Sequence, residues 1–244
     1  MVKLQPNTTP TIIYPDSDGQ PMADNTKQFR WIVTIKENLE LLFVNDSQVF
    51  VAGDLLWYPV QGNNKIRQAP DTMVVFGRPK GDRGSYKQWE ENNIPPQVVF
   101  EILSPGNRLK KMAEKLKFYE RYGVEEYYVY DPDDNELIAW QRVGNDLEIV
   151  TEIDGWVSPH LKIKFQLSFD NLEIFSPEGN KFLTYVELNQ LREQERQRAE
   201  QESQRAEQER QRADEAMKQL EEERQRYAAL SALLRARGID PQQL

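Results

Sequence analysis

Apolar side chains recur along this chain in two periods, and the changes from one to the other mark its elements. Phe29, Ile32, Ile35, Leu39 and Leu42 follow helical spacing with Arg30, Thr34 and Asn38 opposite, so an amphipathic helix is expected to about Phe43. Asp24, Asn25 or Thr26 can cap it, and Asn45, Asp46 and Ser47 break it. The run VFVAGDLLWYPV then reads as one bent strand or two, with Asp54 in its middle. Pro70 and Asp71 lead into Thr72–Phe76, a short apolar strand, and a proline is tolerated at such an entrance because no interior ladder bond is lost. A long polar loop, Gly77 to Asn93, separates this strand from the central unit.

That unit is QVVFEILSPGNRLKKMAEKLKFYERYGVEEYYVYD, from Gln97 to Asp131. It opens as a β-branched strand ended by Ser104, Pro105, Gly106 and Asn107. Leu109, Met112, Leu116 and Tyr119 then follow helical spacing until Gly123 supplies a stop, and Tyr127 to Tyr130 is again a strand. Strand, helix, strand in this order normally joins parallel neighbours of one sheet. Glu136 to Arg142, Asp146 to Ile153 and Leu161 to Phe165 read as further, antiparallel-type strands. Before all of this, residues 1–23 are rich in Pro, Thr, Asp and Gly and read as an arm over the surface.

From Glu187 the pattern changes to a seven-residue repeat, EQERQRA, EQESQRA, EQERQRA, DEAMKQL, EEERQRY. Glu195 with Arg198, Glu202 with Arg205, and Glu209 with Arg212 stand three apart, each pair contributing a few tenths of a kcal/mol. One stripe is apolar: Ala199, Ala206, Ala213, Leu220, Tyr227 and Leu234. The positions three later are Glu202, Glu209, Ala216, Glu223 and Leu230, so a convincing coiled-coil seam exists only after Ala213. The expected organisation is an arm (1–23), one globular domain (24–186) and a charged helical tail (187–244), the tail acting as spacer or self-association helix.

Composition narrows the chemistry. The 244 residues include no cysteine and one histidine, His160, which rules out thiolate chemistry and essentially excludes a multi-histidine zinc site or a Ser/His/Asp triad. His160, beside Pro159 in a turn, reads as structural. No apolar run reaches the roughly twenty residues of a membrane span, and the N-terminus has no signal-peptide core, so a cytoplasmic protein without membrane contact is expected. A net charge of −9 argues against whole-surface binding to a polyanion and leaves room for a local basic site. Arg78, Lys80, Arg83 and Lys87, with Tyr86 and Trp89, and Arg108, Lys110, Lys111 and Lys117 are candidates for phosphate contact, although a solvated surface is the simpler reading.

Three acids interrupt apolar strands or stand at their entrance: Asp54, Asp71 and Glu101. By alternation Glu101 shares a face with Val99 and Leu103, and Asp71 shares one with Met73 and Val75, so the two carboxylates converge if their strands are neighbours. A buried carboxylate is costly without a facing cation or donor. Oxygen donors suit Mg²⁺ or Mn²⁺, and Lys111 and Lys115 follow on the next helix. Ordinary structure also accounts for each acid: Asp71 in a turn, Asp54 at a bulge, Glu101 in an ion pair with Lys115.

The combination of Pro70-Asp71, Glu101-Ile102-Leu103-Ser104-Pro105, Glu114-Lys115-Leu116 with Tyr119, Gly123-Val124-Glu125-Glu126-Tyr127 and Asp131-Pro132 resembles a large bacterial family of restriction-endonuclease-like proteins with a PD-(D/E)XK nuclease core. The resemblance covers about Thr26 to Phe165. It implies an α/β fold, a mixed β-sheet flanked by helices, here followed by the long charged C-terminal α-helix. It also implies Asp71 and Glu101 as metal-binding acids, with Asp54, Glu37 or Glu40 as weaker additions. The lysine expected two residues after the glutamate is replaced by Leu103, and Lys115 fits the family's relocated helix lysine. The expectation is a Mg²⁺- or Mn²⁺-dependent endonuclease acting on DNA, with homo-oligomers forming through the tail. The alternative is a catalytically idle nuclease-like core that binds or assembles through that tail.

Overall fold

The computed structural model describes residues 12–105 and 109–238. Residues 1–11 of the expected arm, the turn residues Gly106 and Asn107 with the basic Arg108, and residues 239–244 of the expected tail lie outside the described residues. The chain divides after Tyr185 into two compact units.

The first unit is built on a six-stranded mixed sheet. Its strands are β1 (Val49–Ala52), β3 (Thr72–Phe76), β5 (Val98–Ile102), β6 (Glu126–Asp131), β7 (Glu136–Val143) and β8 (Asp146–Ile149), in that spatial order. Only β5 and β6 run parallel, as the crossover through helix α2 (Leu109–Arg121) requires. The other neighbours are antiparallel. The bent run after β1 is two strands: β2 (Trp57–Tyr58) leaves the main sheet and pairs with β4 (Tyr86–Lys87) inside the polar loop, next to a 3₁₀ turn at Gln88–Glu90. The strand expected at 161–165 is β9 (Lys164–Leu167), which forms a separate hairpin with β10 (Leu172–Phe175).

Alternation along the strands divides the core in two. One face carries Val51, Val74, Phe100, Tyr128 and Ala139, and is covered by helix α1 (Thr26–Leu42) through Ile32, Ile35 and Leu39 and by the β9–β10 hairpin through Phe165 and Ile174. Asn25 starts α1, its side chain accepting from the backbone N–H groups of Lys27 and Gln28 at 3.0 and 2.8 Å. The other face carries Ala52, Met73, Val75, Val99, Tyr127 and Val129, and is covered by α2 through Tyr119, Met112 and Leu116. Gly123 at φ +91° ends α2 in the left-handed conformation that glycine adopts at no steric cost. The second unit contains most of α3 (Tyr185–Ala236), a 52-residue helix with no buried residue.

Candidate active site

Asp71 and Glu101 owe their placement to a strand register. β3 and β5 pair with Thr72 opposite Phe100 and Met73 opposite Val99, so Asp71 falls opposite Glu101 one step beyond the paired residues, on the face covered by α2. Asp71 closes the same step itself: its Oδ2 accepts from the backbone N–H of Ile102 at 2.6 Å. The carbonyl of Ile102 accepts from Gln28 Nε2 at 2.8 Å, and Ser104 donates to Asp24 Oδ2 at 2.6 Å, so α1 and the segment before it fix the strand end that presents Glu101. Asp54 stands in the turn after β1 at φ +49°, its N–H donating to the carbonyl of Pro70 immediately before Asp71.

Helix α2 brings the counter-groups down onto the sheet. Lys115 Nζ lies 2.5 Å from Glu101 Oε2, and the Tyr119 hydroxyl donates to Oε1 at 2.5 Å. They stand four residues apart, one turn of helix, so both reach one carboxylate. Glu101 is only 3% exposed and Tyr119 fully buried. Lys111, a turn earlier, is exposed.

Electrostatics at the site are unbalanced. Lys115 faces Glu101, Asp71 and Asp54 together: burial pulls its pKa down, and these carboxylates outweigh that and lift it above the ordinary lysine value. Asp71 is pushed well above the usual carboxylate range, first by burial and then by the charge of Glu101. Asp54 moves the same way through burial, with Asp18 and Glu101 adding to it and Lys115 opposing. The buried Tyr119 phenol is raised strongly by burial and by Glu101, so it is a fixed donor. Tyr127, on the same sheet face, feels the charges of Glu101 and Asp71, and its buried hydroxyl has no hydrogen-bond partner among the described residues.

The other candidates have partners of their own. Glu37 and Glu40 both pair with Lys36 on α1, which covers the opposite sheet face through Ile32, Ile35 and Leu39. In the polar loop, Arg78 and Arg83 turn inward to share Glu91, each at 2.7 Å, so the loop's arginines are structural. Burial alone would raise the Glu91 carboxyl, and hydrogen bonds from Arg83 and Arg78 hold it below its ordinary value. His160 holds a loop: its backbone N–H donates to Glu126 Oε1 at 2.6 Å, and its ring nitrogen contacts Glu125 at 2.5 Å.

Among the described residues no three Asp, Glu, His or Cys side chains form a ready-made metal-holding group. The donor set still fits Mg²⁺, which usually keeps several waters and takes one or two protein carboxylates together with substrate phosphate. The unpartnered Tyr127 hydroxyl beside the acids adds a polar group that such a hydrated ion can satisfy.

No helix among the described residues is long and apolar enough to cross a membrane. Among solved structures, a putative nuclease of the DUF820 group from Anabaena variabilis ATCC 29413 is similar at 15% identity with a TM-score of 0.42, covering 55% of this chain and 72% of that one. No curated protein matches. Residues 12–170, which contain Asp54, Asp71, Glu101 and Lys115, match the family model Uma2, described as putative restriction endonuclease, and the chain belongs to that family.

Proposed function

We propose that this protein is a divalent-cation-dependent endonuclease that hydrolyses DNA phosphodiester bonds. One observation carries the reading: the β3–β5 register sets Asp71 opposite Glu101 on the face under α2, where Lys115 contacts Glu101 and also feels Asp71 and Asp54, so three carboxylates face one ammonium in a largely buried setting. Asp71 and Glu101 would hold Mg²⁺ or Mn²⁺, with Asp54 as a weaker addition beyond that pair, and the ion would supply polarisation of the scissile phosphate and a lowered pKa for the attacking water. Lys115 stays protonated, so its ammonium orients the water or stabilises charge developing on the phosphate. Tyr119 and the Ile102 N–H hold the two carboxylates in fixed orientations. The exposed Lys110, Lys111 and Lys117 on α2 contact backbone phosphates as the duplex approaches. The reaction belongs in the cytoplasm, and α3 mediates self-association.

The test is nicking of supercoiled plasmid with Mg²⁺ or Mn²⁺ against the same reaction with chelator. Cleavage is expected only with the ion, and Asp71→Ala and Glu101→Ala are expected to abolish it while remaining folded; unchanged cleavage in both variants would remove the assignment. A second reading, an idle core that works as an assembly module, is favoured by one observation: both oxygens of Glu101 already accept from Lys115 and Tyr119. Calorimetric titration with Mn²⁺ separates the two, because only the enzyme reading requires binding that disappears in Asp71→Asn.

A further inference from the structure

Glu101 is 3% exposed, and each of its oxygens holds one donor, Lys115 on Oε2 and Tyr119 on Oε1. A cation that uses Glu101 together with Asp71 has either to share an oxygen with one of these donors or to replace it. We infer that the donor replaced is Lys115: the lysine and a divalent cation compete for Glu101 Oε2, and the lysine is latched on that oxygen until the cation takes it. The inference rests on the endonuclease reading above, and it gives Lys115 a second role, as the group that sets cation affinity.

Packing decides which donor can leave. The Tyr119 ring is fully buried, 4.9 Å from the Tyr127 ring and 5.8 Å from that of Phe118, and moving it would open the core under α2. Lys115 keeps a quarter of its side chain exposed and carries its charge on a flexible four-carbon stem. Asp54 and Asp71 also face the ammonium, so leaving Oε2 does not strand it without counter-charge. An ammonium and a divalent ion on one buried oxygen repel strongly, so the two occupancies exclude each other. Release then frees the lysine for phosphate or water only after the cation has bound.

The experiment uses the full chain and reads cation binding rather than cleavage. Mn²⁺ is titrated calorimetrically into wild type, Lys115→Met and Tyr119→Phe. In parallel, Lys115 of wild type is labelled with an acylating reagent, with and without Mn²⁺, and quantified by peptide mass spectrometry. The expected results are a severalfold lower Kd in Lys115→Met, no such gain in Tyr119→Phe, and severalfold faster labelling of Lys115 once Mn²⁺ is present. The labelling arm needs no substitution and stands if a variant fails to fold. Wild-type binding with an unchanged or higher Kd in Lys115→Met, a gain in Tyr119→Phe instead, or no rise in labelling overturns the inference and leaves the endonuclease reading intact. Absence of Mn²⁺ binding by wild type overturns both.

Discussion

Asp71 carries an identifiable cost. Burial and the nearby charge of Glu101 hold its pKa well above the ordinary value, so the folded chain keeps the proton to a higher pH than the unfolded chain does. Stability therefore falls as pH rises from the ordinary carboxylate value, about 4, through the raised one. Asp71→Asn removes that loss and keeps an oxygen to accept from the Ile102 N–H. In chelator, differential scanning calorimetry should show the variant melting a few degrees above wild type at neutral pH, since about 1 kcal/mol moves the midpoint by about 2–4 °C at this size. The gap should close towards pH of about 4, where both states are protonated; a lower melting point at neutral pH would show that the charge is compensated. Lys115 and Lys111 are separated by the same logic of contact. Only Lys115 reaches Glu101, so Lys115→Ala should lower cleavage by about 100-fold or more, the scale on which a lost charge-stabilising donor acts, and Lys111→Ala should weaken it mildly. Comparable losses in the two would place both lysines in DNA contact.

At the scale of elements, β3 and β5 were legible as short apolar runs bounded by turn residues, and α2 from its helical spacing up to Gly123. Alternation alone put Asp71 with Met73 and Val75 and Glu101 with Val99, and the pairing of Met73 with Val99 is what sets the acids opposite each other. β4 was not legible, since two residues carry no period, and neither was β10, whose partner β9 lies outside the main sheet. The hydroxyl of Tyr119 was hidden for another reason: helical spacing reads its ring as packing, which it is, and says nothing of the oxygen at its tip. The same holds for Arg78 and Arg83, basic by type and turned inward by the shared Glu91. Gly123 was legible as a stop, and the structure adds its sharper constraint: φ is +91°, and a Cβ there would stand 3.2 Å from Pro95 Cγ. Gly123→Ala should therefore destabilise the first unit by about 1–2 kcal/mol, the cost of a left-handed non-glycine residue, plus whatever Pro95 must yield. Urea unfolding followed by tryptophan fluorescence measures it; an unchanged midpoint would mean that the α2 to β6 turn relaxes freely.

The whole molecule combines a packed unit with a 52-residue helix in which no residue is buried. In α3 the ion pair Arg196 to Glu193, at 2.8 Å, joins residues three apart within the helix, a spacing that Glu195 and Arg198 and the later repeats also offer in the sequence. Its larger apolar groups, Leu220, Tyr227 and Leu230, are all exposed, and the first half of the repeat offers alanine where a seam would need leucine. An alanine stripe buries little area against a second helix, so self-association should depend on the segment after Ala213 and be modest. The residues that meet at Glu101 all come from before Tyr185, where the chain divides. A chain ending at Tyr185 should accordingly stay folded, bind Mn²⁺ as the full chain does and keep its cleavage rate, while Leu220→Glu with Leu230→Glu in the full chain lowers the mass seen by sedimentation. Loss of Mn²⁺ binding or of the melting transition on truncation would mean that α3 supports the first unit, and an unchanged sedimentation mass in the double variant would move any self-association away from this seam.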